Sequence, residues 1–247
     1  MPDIEWNKAT WDGAYDWKDH GNEWSTPWGG SEALFFATLM PRLAGVLPAE
    51  EVLEIAPGHG RCTDILLRFC RLYRGVDLSE QCVAFCRDRF RDRPGAEFFV
   101  NNGRSLAAVA GQRFDLVFSF DSLVHADQDA IGAYVPQVIE LLKPGGIAFL
   151  HHSNLAAYPD VKEWQHRSAN VSAELVASLV ERHGGRVMIQ EMFNGGPAVG
   201  YDCFSTFCRH ADHPAFERQT VLNPGLMSRE GVNAREYFAP YMKLRGC

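Results

Sequence analysis

An acidic residue followed by a glycine-rich turn is the part of this sequence that points most directly to ligand binding. Glu54 lies near the end of a short apolar run, and Ala56, Gly58 and Gly60 follow it at alternate positions. Glycine in a strand-to-helix turn lets backbone N–H groups approach a ligand, and the helix N-terminus adds partial positive charge. Glu54 would repel a pyrophosphate at this turn, whereas it would attract an ammonium or sulfonium group. We therefore expect a ligand with positive charge, although a purely structural turn is the alternative.

Further polar residues follow the next two predicted strands. Asp77 and Leu78 come directly after the second strand, and Asn102 and Gly103 follow the third. In doubly wound nucleotide-binding folds, an acid at the end of the second strand accepts hydrogen bonds from ribose hydroxyls. The alternative for Asp77 is a cap for the helix that follows it. Because the carboxyl ends of parallel strands share one edge of a sheet, these residues are predicted to meet the glycine-rich turn.

Candidate residues for proton transfer follow the fourth and fifth predicted strands. Asp121, Ser122 and His125 come after the fourth strand, and His151 and His152 come at the end of the fifth. Histidine changes its charge near neutral pH, so His125 and His151 are the candidate general bases. A hydrogen-bonded position in the wall of the site is the alternative for each. A metal site formed by Asp121, His125, His151 and His152 is an alternative, but the acid-rich spacing of such sites is missing here, and no metal ligand is predicted.

Residues 1–30 hold five of the six tryptophans and no run of aliphatic side chains. Such rings are costly to leave in water, so this segment is expected to fold over the ligand cleft or to pack on the sheet edge. Tyr15 is the candidate in this segment for orienting or deprotonating a substrate. Aromatic walls would also hold an ammonium group by cation–π attraction.

The elements that would position these residues alternate between short apolar strands and helical segments. A helical pattern runs from Ser31 to Pro48, and Pro41 is expected to bend or split it. The alternation after Pro48 is typical of a mainly parallel sheet that is covered on both faces. The Gly195–Gly200 loop is short enough to join the last two strands as an antiparallel hairpin. Strands are predicted near 51–55, 73–76, 96–100, 114–119, 146–151, 186–193 and 201–208, with helices near 61–71, 79–92, 129–142 and 172–184.

Length, charge and cysteine content restrict the class of protein. The 247 residues suffice for one large α/β domain with a small appendage. A formal net charge of −7 argues against a nucleic-acid partner, because phosphate neutralisation needs a surplus of Lys and Arg. Seven cysteines without a CxxC pair predict free thiols in a reducing compartment. No apolar stretch is long enough to span a bilayer, so no membrane partner and a cytoplasmic location are expected.

The turn after Glu54 resembles the first motif of class I S-adenosylmethionine-dependent methyltransferases, an acid followed by x-G-x-G-x-G, with Ala56 replacing the first glycine. Residues 114–121 and 141–146 are similar to later motifs of that family, and the likeness covers residues 50–151 well and 172–208 more loosely. It implies a Rossmann-like α/β fold with a seven-stranded, mostly parallel sheet, helices on both faces, an antiparallel last strand and an aromatic N-terminal lid. It implies S-adenosylmethionine as cofactor, bound by Trp24, Trp28, Glu54, Ala56, Gly58, Gly60, Asp77, Leu78, Asn102, Gly103, Phe120, Asp121 and Ser122, with Tyr15, His125 and His151 as catalytic candidates.

Residues 11–29, 167–172 and 201–205 are similar to bacterial methyltransferases of sugars and secondary metabolites, among them the lincosamide antibiotic N-methyltransferases. This narrower resemblance implies methylation of an amine or hydroxyl on a small molecule such as a sugar-containing metabolite or antibiotic precursor. Composition and periodicity along the chain further predict a division into an aromatic lid and helix at 1–48, a cofactor-binding domain at 49–210 and a C-terminal extension at 211–247.

Several other functions stay open at this stage. An O-methyltransferase of a sugar or phenolic compound fits the same motifs. A nicotinamide-dependent oxidoreductase would use a similar turn, but Glu54 argues against it, and the intact glycines argue against a non-catalytic partner subunit. A homo-oligomer is compatible with the sequence.

Overall fold

The computed structural model describes residues 2–161, 165–193, 200–212 and 217–242. Eight strands within these ranges form one sheet: β1 (Ala49–Ile55), β2 (Cys70–Asp77), β3 (Ala96–Val100), β4 (Phe114–Ser119), β5 (Leu142–Ser153), β6 (Gly185–Phe193), β7 (Asp202–Arg209) and β8 (Gln219–Leu222). Their order across the sheet is β3-β2-β1-β4-β5-β7-β6-β8. β7 pairs antiparallel with β5 and β6, and the other pairs are parallel. The predicted mainly parallel α/β sheet and its antiparallel β6–β7 pair are therefore confirmed, while residues 195–199 of the connecting loop lie outside the described ranges.

The sheet differs from the seven-stranded prediction by one strand at its edge. β8 pairs parallel with β6, so the antiparallel strand is the seventh and not the last. All four residues of β8 are exposed, and no alternation of polar and apolar side chains marks the strand in the sequence. The predicted helix at 61–71 was also too long. Only Thr63–Leu66 is α-helical, because Cys70 already pairs with Ala49 in the sheet.

Helical segments lie on both faces of the sheet. The described α-helices are α1 (Ile4–Ala9), α2 (Ser31–Leu34), α3 (Met40–Leu43), α4 (Thr63–Leu66), α5 (Glu80–Arg89), α6 (Gln128–Leu141), α7 (Ala173–Arg182), α8 (Gly231–Asn233) and α9 (Ala239–Met242). Wider π-type turns occur at Thr10–Ala14, Phe35–Leu39, Leu226–Glu230 and Ala234–Phe238, and 3₁₀ turns at Asn22–Trp28, Ala107–Val109, Leu123–His125, Leu155–Ala157 and His210–Asp212. None of the described helices is long and apolar enough to cross a membrane.

The central strands contribute alternate residues to two apolar cores, one on each face. Val52 and Phe118 belong to the core that is covered by residues 31–43, α4 and α5. Their neighbours Leu53 and Val117 belong to the opposite core, which α6 and α7 cover. Burial on both faces explains the nearly continuous apolar runs of these strands, since neither side of the strand needs polar residues.

The helical segment after Ser31 runs as predicted but changes its pitch before Pro41. The wide turn Phe35–Leu39 precedes α3, and Pro41 lies in the first turn of α3. Proline lacks a backbone N–H and fits best in the first turn of a helix, which accounts for this position.

An ion-pair cluster joins this helical segment to the C-terminal residues. Arg42 of α3 lies 2.6 Å from Glu191 of β6 and 2.9 Å from Glu230. Trp28 is 5% exposed and belongs to the same core as Leu226. Residues 28–42 and the C-terminal residues 226–239 therefore pack together on the face opposite α6 and α7.

Candidate active site

A deep cavity lies at the carboxyl ends of β1, β2 and β4, under the N-terminal segment. The empty space among its lining atoms, counted to its open mouth, is about 960 Å³. Doubly wound folds bind their ligands at this edge of the sheet. The lining includes Asp3, Asn7, Trp11, Trp17 and Trp24 from the N-terminal segment, and Glu54, Ala56, Gly58, Arg61, Asp77, Leu78, Gly103, Phe120, Asp121, Ser122 and His125 from the sheet side.

Three residues that the sequence predicted for cofactor contact lie away from this lining. Trp28 is buried against the C-terminal residues near Gly231. Gly60 lies under Phe90, where an added Cβ would come within 2.5 Å of the ring, so close packing accounts for this glycine. The Asn102 side chain turns back to accept the N–H of Arg104. The turn motif is therefore divided between residues that face the cavity and residues that pack behind it.

Glu54 is a buried carboxylate on the cavity wall. It is 3% exposed, and its Oε2 accepts hydrogen bonds from the Thr63 and Tyr73 hydroxyls at 2.7 Å and 2.6 Å. Burial raises the pKa of Glu54 to about 7, although both hydroxyls oppose the rise. Glu54 therefore changes between its neutral and charged forms near neutral pH.

The glycine-rich turn and Asp77 support each other. Gly58 has a φ of 57°, a left-handed conformation that favours glycine, and an added Cβ would come within 2.8 Å of the Trp17 ring. Its N–H donates to Asp77 Oδ2 at 3.0 Å, and Ser79 N–H donates to Asp77 Oδ1 at 2.9 Å. The cap of α5 is the Ser79 hydroxyl, which accepts the N–H of Cys82, so Asp77 is not the cap. Burial raises the pKa of Asp77 to about 6.

An ion pair between Arg61 and Asp121 lies on the opposite side of the turn. Arg61 Nη2 donates to Asp121 Oδ2 at 3.1 Å, and Nη1 donates to the Ser25 hydroxyl at 3.1 Å. The guanidinium also lies 5.4 Å and 5.3 Å from the ring centroids of Trp24 and Phe120, within cation–π range. Burial alone would raise the pKa of Asp121, but Arg61 and the other basic side chains around it together outweigh burial, and the pKa falls below its usual value. Arg61 was not predicted from the sequence. Its position directly after the last glycine of the turn could have indicated that it lies at the ligand site.

His125 is the predicted base that reaches the cavity. Its Nδ1 lies 2.8 Å from the backbone oxygen of His166, and a carbonyl only accepts, so Nδ1 carries the proton. Nε2 then keeps its lone pair. Burial lowers the pKa of His125 to about 4, so the ring is neutral at physiological pH. Asn7 donates to the His125 carbonyl, and the rings of Trp6 and Trp11 lie 6.2 Å and 5.6 Å from the imidazole.

The other two histidines lie behind the wall. His151 is 3% exposed, does not line the cavity, and accepts the Asp121 N–H on Nδ1 at 3.0 Å. His152 is fully buried, with hydrogen bonds at 2.8 Å to the Ser153 carbonyl and the Ser205 hydroxyl. Neither ring offers a free lone pair to a ligand in the cavity.

Tyr15 also lies outside the lining. Its hydroxyl donates to Glu23 at 2.9 Å, and its ring packs against Trp17 and Trp24. Burial, with the neighbouring Glu23, raises the pKa of Tyr15 to about 12. The hydroxyl is therefore both committed to Glu23 and difficult to ionise.

Tyr15→Phe is expected to change the turnover number by less than about threefold, because the ring packing stays and only a peripheral hydrogen bond is lost. Initial-rate measurements with the natural acceptor at saturating cofactor test this. A drop of more than about thirtyfold would restore the hydroxyl to a direct role in acceptor activation.

The remaining aromatic residues of the N-terminal segment stack over the glycine-rich turn. His59 lies between Trp17 and Phe85, with centroid distances of 4.1 Å and 3.9 Å and nearly parallel rings. The ring centroids of Trp11 and Trp24 lie 5.9 Å apart beside this stack. The segment thus forms the upper wall of the cavity.

No group of three or more His, Cys, Asp or Glu residues within the described part of the chain is arranged to hold a metal ion. The free thiols of Cys62 and Cys82 line the cavity, and burial raises the pKa of Cys62 to about 12.

Comparison with known proteins identifies the domain. Residues 52–146 match the family described as a methyltransferase domain, and they span the turn, Asp77, Asp121 and His125. This segment, from β1 into β5, therefore matches a methyltransferase domain, the kind of domain that the sequence resemblance implied. S-Adenosylmethionine is the cofactor of this domain, as the sequence resemblance implied.

Solved structures share the fold at low sequence identity. An S-adenosylmethionine-dependent methyltransferase from Clostridium acetobutylicum is 13% identical, with a TM-score of 0.58 over 71% of this chain and 90% of that chain. The CcbJ methyltransferase from Streptomyces caelestis is 18% identical, with a TM-score of 0.56 over 74% of this chain and 95% of that chain. The glycopeptide N-methyltransferase MtfA, in complex with S-adenosylmethionine, is 19% identical, with a TM-score of 0.52 over 69% and 86%. At these identities the likeness establishes the fold.

Proposed function

We propose that this methyltransferase transfers the methyl group of S-adenosylmethionine to an amine of a small molecule. The observation that carries the proposal is the neutral imidazole of His125, whose Nε2 lone pair is left on the wall of an acidic, aromatic cavity. The remaining charges of the cavity match the cofactor, and the properties of His125 match the acceptor.

The cavity offers complementary partners for each part of the cofactor. The amino-acid head is a zwitterion, and the Arg61–Asp121 pair presents the opposite arrangement of charges at 3.1 Å. Arg61 would receive the carboxylate, while Asp121 and the ionised form of Glu54 would receive the ammonium. Asp77 would accept hydrogen bonds from the ribose hydroxyls, and Gly103 lies at the end expected for adenine.

The low pKa of His125 favours an amine over a hydroxyl acceptor. A hydroxyl must lose its proton as it attacks, and a base with a pKa of about 4 is poorly matched to that task at neutral pH. A neutral amine already has a nucleophilic lone pair. It needs only an acceptor for one N–H, which His125 Nε2 would supply while the tryptophan walls hold the nitrogen.

When bound, S-adenosylmethionine supplies a methyl group that is activated by the positive sulfur. His125 would orient the acceptor so that the nitrogen lone pair points at the methyl carbon. A new N–C bond forms as the C–S bond breaks, its electron pair stays on sulfur, and the products are S-adenosylhomocysteine and a protonated amine. The proton of the product amine then leaves to solvent. Trp11, Trp17 and Trp24 would exclude water from the reacting atoms.

The names of the structural neighbours suggest a class of acceptor. MtfA is described as a glycopeptide N-methyltransferase. Its fold and the aromatic cavity of this chain support a sugar-containing secondary metabolite or antibiotic precursor as acceptor. A panel of amino sugars, each paired with the corresponding hydroxyl compound, tests the class directly. Methylation of the hydroxyl members alone would replace the amine proposal by an O-methyltransferase.

Calorimetric titration tests the cofactor. We expect S-adenosylhomocysteine to bind the purified protein and NADH to give no heat above dilution. Asp77→Ala should weaken S-adenosylhomocysteine binding by roughly ten- to hundredfold, because the ribose acceptor and the bond to Gly58 are lost together. Binding of NADH in place of S-adenosylhomocysteine would support the oxidoreductase alternative.

Cofactor binding is expected to strengthen as pH rises through about 7, because Glu54 attracts the ammonium only after it loses its proton. Below that pH the association constant should fall by up to about tenfold per pH unit. Glu54→Gln keeps an acceptor for the Thr63 and Tyr73 hydroxyls and should remove this dependence. Titrations of S-adenosylhomocysteine between pH 5.5 and 8.5, in steps of about half a unit, measure it.

Asp77→Asn is the comparison: it should weaken binding at every pH, because its amide NH2 cannot accept one of the two N–H groups that Asp77 accepts, and it should remove the inflection near pH 6 while keeping the one near pH 7. An unchanged pH profile in Glu54→Gln would remove Glu54 from the ammonium site.

A further inference from the structure

The backbone of Asp121 is held in an unusual conformation at the cavity. Its φ is 58°, in the left-handed region, which a residue other than glycine occupies at a cost unless neighbouring contacts hold it there. This conformation aims the Asp121 carboxylate at Arg61 on the cavity wall. A contact that fixes the main chain of Asp121 therefore also fixes the positions of the Asp121 carboxylate and the Arg61 guanidinium.

His151 makes that contact from behind the wall. A backbone N–H only donates, so the Asp121 N–H bound at 3.0 Å requires a lone pair on His151 Nδ1. The proton of the neutral ring is then on Nε2, which lies 3.8 Å from Asp202 Oδ2. This distance is too long for a hydrogen bond, but the negative charge of Asp202 still favours the tautomer with the proton on Nε2.

Asp202 is itself fixed as a carboxylate. It is 1% exposed and accepts hydrogen bonds from Arg167 Nε and Nη2 at 3.1 Å and 3.0 Å. Burial alone would raise the pKa of Asp202, but His151 and Arg167 outweigh it, and the pKa is held well below its usual range. The side chain that faces His151 is therefore negative at every pH at which the protein works.

The imidazole has little freedom to turn. The rings of Phe120, Phe193 and Phe204 surround it at centroid distances of 5.3 Å, 5.2 Å and 5.0 Å. His151 cannot touch a ligand in the cavity, since it does not belong to the lining. It reaches the lining by its ring contact with Phe120 and by its hydrogen bond to the Asp121 N–H, and only the hydrogen bond acts on a charged residue of the cavity.

We infer that His151 is a positioning residue for cofactor recognition: backed by the Asp202–Arg167 pair, it fixes the Asp121 backbone and thereby orients the Asp121–Arg61 charges toward the amino-acid head of the cofactor. The inference rests on the proposed binding of S-adenosylmethionine. It replaces the role of general base that the sequence suggested for His151. It also assigns a function to Arg167 and Asp202, which lie outside the cavity lining.

Two ligands separate this role from a general effect on folding. S-Adenosylhomocysteine carries the amino-acid head, whereas 5′-methylthioadenosine has the same nucleoside and sulfur without it. His151→Leu should weaken S-adenosylhomocysteine by about tenfold or more and change 5′-methylthioadenosine by less than about twofold. His151→Asn places an amide oxygen near the position of Nδ1 and should recover most of the lost affinity. Calorimetry on the full chain, with melting curves as the folding check, measures all of these values.

Asp202→Asn is the second line of evidence if His151→Leu does not fold. It keeps the side-chain shape, removes the charge that sets the tautomer, and should also weaken S-adenosylhomocysteine selectively. Equal losses for both ligands, or no loss for either, in a folded variant would overturn the positioning role. Failure of the unmodified protein to bind either ligand would instead refute the proposed cofactor function.

Discussion

Replacing His125 by Asn is expected to lower the turnover number by roughly a hundredfold while cofactor affinity stays within about twofold. The amide nitrogen of Asn can replace Nδ1 as the donor to the His166 carbonyl, so the loop keeps its anchor. The variant lacks only the Nε2 lone pair that would orient the acceptor amine. The size of the loss therefore reports the contribution of that lone pair.

Single-turnover measurements with saturating S-adenosylmethionine and the natural acceptor distinguish this effect from weaker binding. The pH profile gives a second check. Since the pKa of His125 is about 4, its neutral form predominates above pH 5, and a rise in rate near neutrality must come from the acceptor amine, from Glu54 or from Asp77. Full turnover in His125→Asn would show that the amine needs no partner and would leave alignment to the aromatic walls.

The strands of the fold were predictable because their burial leaves a pattern in the sequence. β1 and β4 are apolar on both faces and begin or end within two residues of the expected positions. β8 was not predictable, because its residues are exposed and the strand is defined only by pairing with β6. The short helix α4 was overestimated for a related reason: the apolar residues after Leu66 serve the start of β2 rather than a helix face.

The cavity was predictable to the extent that it depends on strand ends. Glu54, Asp77 and Asp121 all line it, because the carboxyl ends of parallel strands lie at the same edge of the sheet. Arg61 and Asn7 depend on contacts between distant segments, such as the bond from Asn7 to the His125 carbonyl 118 residues away. Periodicity carries no information about such contacts. His125 and His151 were indistinguishable as residues after strands, and only the side of the wall on which each ring lies separates them.

Removing residues 2–20 is expected to lower kcat/KM by roughly a hundredfold or more while the fold survives. These residues belong to neither apolar core, so their loss leaves both faces of the sheet covered. They do supply Trp11 and Trp17 to the cavity wall and tie Asn7 to the His125 carbonyl. Methyl transfer depends mainly on alignment of the acceptor with the methyl carbon and on exclusion of water. Loss of the cavity wall should therefore lower the rate of turnover more than the stability of the fold.

The shortened protein should keep its far-UV circular dichroism and lose the part of the tryptophan fluorescence change on binding S-adenosylhomocysteine that comes from Trp11 and Trp17, while Trp24 still reports binding. Two point variants give a matched comparison within the same aromatic segment. Trp17→Leu, over Gly58, should lower turnover with little change in melting temperature. Trp28→Leu, at 5% exposure in the core, should lower the melting temperature and leave turnover nearly unchanged. A shortened enzyme with full turnover on its natural acceptor, or the reverse order of these two variants, would show that the N-terminal segment only packs against the sheet and does not close the reaction site.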